Sequence, residues 1–278
     1  MADGALSLTD TLKRAVEALR AGRLDEAARQ CKSALKARPD SFDALHLMGL
    51  IEARRGDYRE AARLIGRAVK VNPRVAAAHL NLGNAQAALG RHGDALASYD
   101  RALALKPDYA EAINNRGTSL HALRKLDEAA GCFQRALTLK PDYAGAHNNL
   151  GNVLKDQGKL DSAAAALRKA IELRSGYADA YGNLGDVLLG QDRPAEAAAI
   201  YRRMAELEPG EPGPLDRLGT AFYADENFAE AIGAYGRALD LRARKVQASD
   251  RVRAICAGLI GLIDVPQIPD SDAAAVAA

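Results

Sequence analysis

A glycine recurs every 34 residues along most of this 278-residue chain. The row consists of Gly49, Gly83, Gly117, Gly151, Gly185 and Gly219. A period of this length, repeated without an insertion, indicates an array of small structural units. Because one such unit is too short to bury an apolar core by itself, the units are stable only when they stack on one another. The period therefore restricts the chain to folds built from stacked repeats.

Each repeat has the pattern of two helices joined by a tight turn. In residues 144–174, apolar or small residues recur at helix spacing on both sides of a polar turn. Gly158 lies in that turn, where a helix should stop. We interpret the glycine row as the point where the two helices come closest, with alanines facing it and a larger residue beside it. These two rows are Ala61, Ala95, Ala129, Ala163, Ala197 and Ala231, and Ile65, Tyr99, Phe133, Leu167, Tyr201 and Tyr235.

Prolines close several repeats at the same phase. They are Pro39, Pro73, Pro107 and Pro141, and Pro209 returns to that phase. A proline cannot continue a helix, so it ends one helix pair and sets the direction of the next. Small-residue helix pairs with a terminal proline resemble the tetratricopeptide repeat family. The resemblance implies an all-α fold, a right-handed α-solenoid superhelix of about seven helix–turn–helix repeats.

The period also predicts how the chain is divided. We expect an N-terminal tail at 1–7, a repeat array at 8–245, a separate C-terminal capping helix at 246–264, and a disordered tail at 265–278. The predicted repeats are 8–41, 42–75, 76–109, 110–143, 144–177, 178–211 and 212–245. The proline- and glycine-rich junction at 208–214 predicts a looser place in the stack.

The predicted end helix is unusually apolar on one face. That face carries Val252, Ile255, Leu259, Ile260 and Ile263. A terminal repeat needs its exposed side covered, and this helix is one candidate for the cover. The alternative is a homodimer contact through the same helix.

Charge and composition exclude several classes of protein. The 38 basic and 36 acidic residues nearly cancel, to a net charge of +2. Since nucleic-acid binders usually carry a basic stripe, we expect no nucleic-acid partner. No stretch approaches the roughly 20 apolar residues of a membrane span, and with no apolar leader a cytoplasmic location is expected. The three widely spaced cysteines fit no metal or cofactor pattern.

Three polar rows appear when the repeats are aligned. The first row lies two residues before the glycines and consists of Asn81, Asn115, Asn149 and Asn183. The second row lies one residue after the glycines and consists of Asn84, Asn152 and Asp186. The third row consists of Asn114 and Asn148. Asparagine is a weaker helix former than alanine by about 0.5 kcal/mol, so the rows suggest a compensating contact. Spacings of three and four residues place the rows on one helix face.

Two interpretations of these amides stay open. An amide donates and accepts hydrogen bonds as a peptide group does, so the rows form a ladder that holds the backbone of an extended peptide. In the second interpretation, each amide bonds to a neighbouring helix within the scaffold.

The run NNLGNVLKDQGKL, at 148–160, resembles one branch of the family most closely. It is similar to the repeat region of protein O-linked N-acetylglucosamine transferases, over about residues 76–207. In that branch an asparagine ladder binds the protein substrate, and a separate domain performs catalysis. The resemblance implies the same ladder at Asn81, Asn115, Asn149 and Asn183. We predict a non-catalytic scaffold for protein interactions; the alternative is the substrate-recognition arm of such a transferase.

A second template is the carboxylate clamp that holds the acidic C-termini of chaperones. Asn152, Asn183 and Arg217 fit three of its five places, whereas Asn148 and Gly213 stand where lysines are required. Loss of those charge-assisted bonds makes this the weaker template. Among the histidines, we expect His79 and His147 to pack in the core, and His46 and His121 to face the groove.

Overall fold

The computed structural model describes residues 7–262, with side chains through residue 247. Fourteen helices and no strand are present within this range. The first helices of the repeats are α1 Leu8–Arg20, α3 Phe42–Arg54, α5 Ala76–Ala88, α7 Ala110–Ala122, α9 Ala144–Asp156, α11 Ala178–Gly190 and α13 Pro212–Ala224. The second helices are α2 Leu24–Ala37, α4 Tyr58–Val71, α6 His92–Leu105, α8 Leu126–Leu139, α10 Leu160–Leu173, α12 Pro194–Leu207 and α14 Phe228–Leu262.

The turn inside each repeat has a left-handed residue at one fixed place. Glycine occupies it in four repeats, for example Gly158 with φ 74°. In the other three the residue is Arg124, Asp192 or Glu226, with φ between 58° and 61°. At the glycine turn the N–H of Lys159 reaches back 2.9 Å to the carbonyl of Leu154, as in a Schellman cap. The predicted helix stop at Gly158 is confirmed.

In five repeats the two helices touch at the glycine of the row, which is Gly49, Gly83, Gly117, Gly151 or Gly219. A Cβ built on Gly151 would lie 2.5 Å from Leu167 Cγ, and one on Gly83 would lie 2.5 Å from Tyr99 Cε1. The alanine row beside these contacts is fully buried in repeats two to six. Core packing at this density leaves no room for a methyl group. The close approach predicted from the sequence is confirmed.

Helices α1 to α11 belong to one compact unit, residues 1–191. Each helix in it packs on the next one along the chain, and successive first helices also contact one another. No two second helices of this unit are in contact. The unit is therefore an all-α solenoid that is concave on the side of its first helices, and we call that side the groove.

Helices α12 to α14 belong to a second unit, residues 192–278. Within it α12 packs on α13, and α13 packs on α14. The junction at 208–214 therefore lies inside a packed unit, and the slight bend or loosening expected there stays a prediction. Within α13, the prolines and glycines of this junction affect only the start of the helix. Pro212 occupies the first turn of that helix, where a backbone N–H would make no hydrogen bond within the helix.

The C-terminal helix differs from the prediction. Instead of a separate helix at 246–264, α14 continues without a break from Phe228 to Leu262. The physical reason is that no glycine or proline lies between Gly236 and Gly258 to stop it. The side chains of the apolar face predicted at 252–263 lie outside the described residues, as do the tail at 265–278 and residues 1–6 of the N-terminal tail.

The helix contact at Gly151 predicts a large cost for a single methyl group. We expect Gly151→Ala to lower the free energy of unfolding by about 1–3 kcal/mol, because the methyl must enter an already filled contact with Leu167. The matched control is Gly131→Ala in α8, where a Cβ meets nothing within 4 Å. That change should raise stability by up to about 1 kcal/mol through helix propensity. Urea unfolding of both variants checks this, and equal stabilities would contradict the packing argument.

The left-handed turn predicts an opposite pair of effects. Glu226→Gly should raise the free energy of unfolding by about 1 kcal/mol, because it removes the strain of a side chain at φ 59°. Gly158→Ala should lower it by a similar amount, since alanine at φ 74° is strained. Thermal unfolding of the two variants measures both effects. A Glu226→Gly protein that melts earlier than the wild type would refute this account of the turn.

Candidate functional site

The first polar row lies in the groove of the first unit. We call Asn81, Asn115, Asn149 and Asn183 the asparagine ladder; they stand on α5, α7, α9 and α11. All four side chains are half-buried. Each occupies the same turn of its helix because the repeats have equal length, so the ladder advances by one rung per repeat.

Every ladder amide donates a hydrogen bond to the preceding repeat. The bonds are Asn81 Nδ2 to His46 Nε2 at 3.0 Å, Asn115 Nδ2 to Asn84 Oδ1 at 2.9 Å, Asn149 Nδ2 to Asn114 Oδ1 at 3.1 Å, and Asn183 Nδ2 to Asn148 Oδ1 at 2.9 Å. The predicted contact with a neighbouring helix is therefore present. It fixes each amide plane, and so determines the direction in which the remaining polar atoms point.

The third row does not line the groove as predicted. Asn114 and Asn148 are buried, with exposed fractions of 6% and 5%. Their position faces the first helix of the following repeat, so their carbonyl oxygens accept from Asn149 and Asn183. We correct their assignment from groove residues to acceptors between repeats.

His46 is a further acceptor between repeats, and sequence reasoning did not identify it. Because an amide nitrogen only donates, His46 Nε2 accepts from Asn81 and the ring proton is on Nδ1. Burial lowers the pKa of His46, against a smaller opposing effect of Asp43, which favours this neutral form. The signal was available in the sequence: His46, Asn114 and Asn148 share one position of the repeat.

The second row is uneven. Asn84 Oδ1 accepts from Asn115 Nδ2 and from the Tyr99 hydroxyl, each at 2.9 Å. Burial raises the pKa of Tyr99 to about 12, so this hydroxyl keeps its proton. Asn152 Oδ1, in contrast, is buried without a hydrogen-bond donor. The residue that corresponds to Tyr99 in its repeat is Leu167, which has no hydroxyl to offer.

The other predicted site residues are charged. Asp186 lies 3.8 Å from Lys155 Nζ within the first unit. Arg217 belongs to the second unit, where its guanidinium is 6.0 Å from the ring centroid of Tyr201. Asn152 thus lies on α9, and Asn183 and Asp186 lie on the neighbouring first helix α11. Arg217 lies on α13, in the second unit.

The rungs differ in the atoms they leave for a ligand. Asn115 Oδ1 accepts from Asn114 Nδ2 at 3.0 Å, so both ends of that amide are bonded within the scaffold. The Oδ1 atoms of Asn149 and Asn183 receive no hydrogen bond from any described residue. These two carbonyls are held in place by their own Nδ2 bonds and can accept a hydrogen from a peptide N–H.

Histidines elsewhere have structural partners. His79 is buried as predicted, and its Nε2 lies 2.9 Å from the carbonyl of Pro73. In the groove, Asp156 Oδ2 lies 2.9 Å from His121 Nε2 and 2.5 Å from Arg124 Nη1. Burial opposes ionisation of Asp156, but these hydrogen bonds outweigh it and hold the pKa of the carboxyl below its ordinary value.

Two kinds of site are absent from the described residues. No three histidine, cysteine or acidic side chains come close enough there to hold a metal ion. In the same range, no helix is both long and apolar enough to cross a membrane.

Several solved structures have a similar arrangement of helices. The crystal structure of YrrB, described as a TPR protein with an unusual peptide-binding site, is 24% identical with a TM-score of 0.54, over 69% of this chain and 99% of that one. MamA is 24% identical with a TM-score of 0.55, over 60% and 92%. A tetratricopeptide repeat protein from Parabacteroides merdae ATCC 43184 is 19% identical with a TM-score of 0.68, over 84% and 93%. At these identities the likeness establishes the fold alone.

The chain has no significant match among curated protein sequences. The sequence profile of the tetratricopeptide repeat, in contrast, matches at residues 12–58, 46–110, 114–176 and 148–212. These matches span most of the chain and have the phase of the helix pairs described above. The chain therefore belongs to the tetratricopeptide repeat family.

Proposed function

We propose that this protein is a non-catalytic scaffold that binds an extended segment of another protein in the groove of its first unit. The observation that carries the proposal is the state of the ladder amides. Asn149 and Asn183 are oriented by hydrogen bonds to the preceding repeat, and their carbonyl oxygens are left for a ligand. Peptide binding by a protein of the same fold, YrrB, supports the choice of ligand.

Orientation by the scaffold favours binding because it removes a cost of association. A free asparagine loses rotamer freedom when a ligand fixes it, whereas a rung already held by its Nδ2 bond loses less. A peptide N–H that donates to such an oxygen gains roughly 0.5–1.5 kcal/mol net.

The spacing of the rungs also suits an extended chain. Packed helices lie about 8–10 Å apart, and an extended chain rises about 3.3 Å per residue. One rung therefore meets the ligand about every third residue. Because the contact is with the backbone, recognition by the ladder depends little on the ligand's side chains.

The same proposal places the protein in the cytoplasm. Its support is that Cys31 and Cys132 are free thiols, as is usual in a reducing compartment. Burial raises the pKa of Cys31 to about 11, so this thiol is unreactive and serves only packing.

The ladder proposal is tested with a peptide of neutral side chains. The probe is a 12-residue alternating Ser–Ala peptide, acetylated and amidated, titrated into the full chain by NMR. We expect Asn149→Ala combined with Asn183→Ala to weaken binding at least tenfold, because two oriented acceptors are lost. The matched variant Asn115→Ala should weaken it less and should lower the melting temperature more, since its amide is bonded at both ends within the scaffold.

Two controls accompany this test. The same peptide with all of its backbone nitrogens methylated should not bind, since no N–H is left to donate to Asn149 or Asn183. Thermal unfolding of each variant separates loss of binding from loss of fold. Equal affinities of the double variant and the wild type would overturn the ladder as a binding site.

A finer part of the proposal is a homodimer through α14. In repeats one, four, five and six, the residues that correspond to Ile232 are buried alanines. In the last repeat, Ile232, Leu239 and Val246 stand at seven-residue intervals with exposed fractions of 73%, 62% and 60%. A row of large apolar side chains on one helix face is an interaction surface, and a second copy of the same helix offers a matching one.

The dimer is tested by sedimentation equilibrium of the full chain. We expect a dimer for the wild type and a monomer for Ile232→Glu combined with Leu239→Glu, because the charges cannot be buried between two copies. Arg203→Glu, on the exposed surface of α12, is the charge control. A wild type that remains monomeric at all concentrations would refute the dimer and leave the groove proposal standing.

A further inference from the structure

The groove of the first unit contains a second kind of surface at its N-terminal end. A cleft of about 510 Å³ lies between α1 and α3. Its apolar lining is Leu12, Val16 and Leu47, all of them half-buried. A volume of this size is within the range of sites that bind small ligands, roughly 300–1,000 Å³. It is large enough for one or two bulky side chains.

The cleft is built from the same repeat positions as the ladder. Leu47 lies 34 residues before Asn81 and therefore occupies the ladder position of repeat two. Val16 occupies in repeat one the position that Asn84 holds in repeat three. Leu47 and Val16 thus place apolar side chains in two rows that carry polar side chains in repeats three to six.

His46 joins the two surfaces. It lines the cleft, and its Nε2 accepts the hydrogen bond from Asn81, the first ladder residue. A second cleft of about 300 Å³ has residues of α1, α3 and α5 in its lining, and Leu50 and Asn81 are among them. The apolar end and the ladder are therefore adjacent parts of one groove.

The charges around the cleft do not favour an ionic ligand. Two cations, Lys13 and Arg20, are balanced by two anions, Glu17 and Asp43. An acidic C-terminus or a basic segment would meet as much repulsion as attraction there. The property that remains for recognition is the apolar surface of the lining.

We propose that this cleft binds an apolar side chain, such as leucine, of the same extended peptide whose backbone the ladder holds. This inference rests on the proposed function of the groove. The cleft lies between repeats one and two, and the carbonyls of Asn149 and Asn183 lie in repeats five and six. At about three residues per repeat, the apolar residue lies roughly nine to twelve positions away from the backbone held at Asn149. The ladder binds the peptide backbone with little dependence on sequence, and the cleft selects peptides that carry an apolar side chain at this position.

The test uses four peptides and the full chain. The parent is an 18-residue alternating Ser–Ala peptide, long enough to span both surfaces. Two derivatives carry a Leu-Leu pair, one near the N-terminus and one near the C-terminus, and a fourth carries Asp-Asp at the end that gains from leucine. We expect one leucine peptide to bind at least tenfold more tightly than the parent, since burial of a leucine side chain is worth that much. The end that gains also reveals the direction of the bound chain.

The key variant is Leu47→Asn, because asparagine is the residue of this row in four later repeats. It should remove the gain from leucine, and it should not weaken binding of the parent peptide, since it replaces an apolar side chain by a further ladder amide. Val16→Asn is a second variant for the same effect, and circular dichroism establishes that both are folded. Methyl NMR signals of Leu12, Val16 and Leu47 should shift with the leucine peptide alone.

The outcomes separate this inference from the proposed function. If the leucine peptides and the parent bind equally, or if Leu47→Asn changes nothing, the cleft inference is overturned and the ladder stands. If the leucine gain is present but the Asn149 and Asn183 variants bind normally, the ladder fails and the cleft stands. If the methyl signals shift with protein concentration alone, a second copy fills the cleft and the cleft inference is overturned. If no peptide binds at millimolar concentration, both the ladder proposal and the cleft inference are refuted.

Discussion

The fold depends on one contact that is repeated along the chain, the approach of a second helix to a glycine on the first. At Gly151 the space of a methyl group is already occupied by Leu167. The partner changes from isoleucine to tyrosine, phenylalanine or leucine along the row, but the glycine does not. Because the contact excludes a Cβ, the two helices meet at the same depth in these repeats and successive repeats have the same geometry. Regular geometry is what allows side chains 34 or 35 residues apart to form rows.

The hydrogen bonds of the ladder are a consequence of that regularity. Asn149 and Asn183 each reach an acceptor 35 residues earlier, on the neighbouring first helix. One inserted residue would rotate the following side chains by about 100° around the helix axis and break the row. The same geometry determines which atoms remain for a partner. A ladder amide whose Nδ2 donates to the scaffold still has its carbonyl oxygen available to accept a hydrogen bond. Asn115 is the exception, because its Oδ1 accepts from Asn114 Nδ2.

The candidate site was predictable in part. The ladder positions and their spacing were visible as a row of asparagines, and so was the bonding of amides to a neighbouring helix as one of two interpretations. Asn114 and Asn148 were misassigned, because helix periodicity places them on the ladder face but does not show how closely the next helix covers that face. The apolar cleft was not noticed, although Leu47 occupies a ladder position and Val16 a position of the second polar row, because a leucine in a helix is usually interpreted as core.

The sequence by itself determined the fold class, the period and the residues that touch inside each repeat, because these follow from local rules that act within 34 residues. Helix propensity, turn chemistry and the steric demand of a glycine contact are all of that kind. Only the tertiary structure decided which polar atoms are used between repeats, as at Asn84, where Tyr99 and Asn115 share one oxygen. Such outcomes depend on distances between helices that are far apart in the chain, and a one-dimensional pattern does not contain those distances.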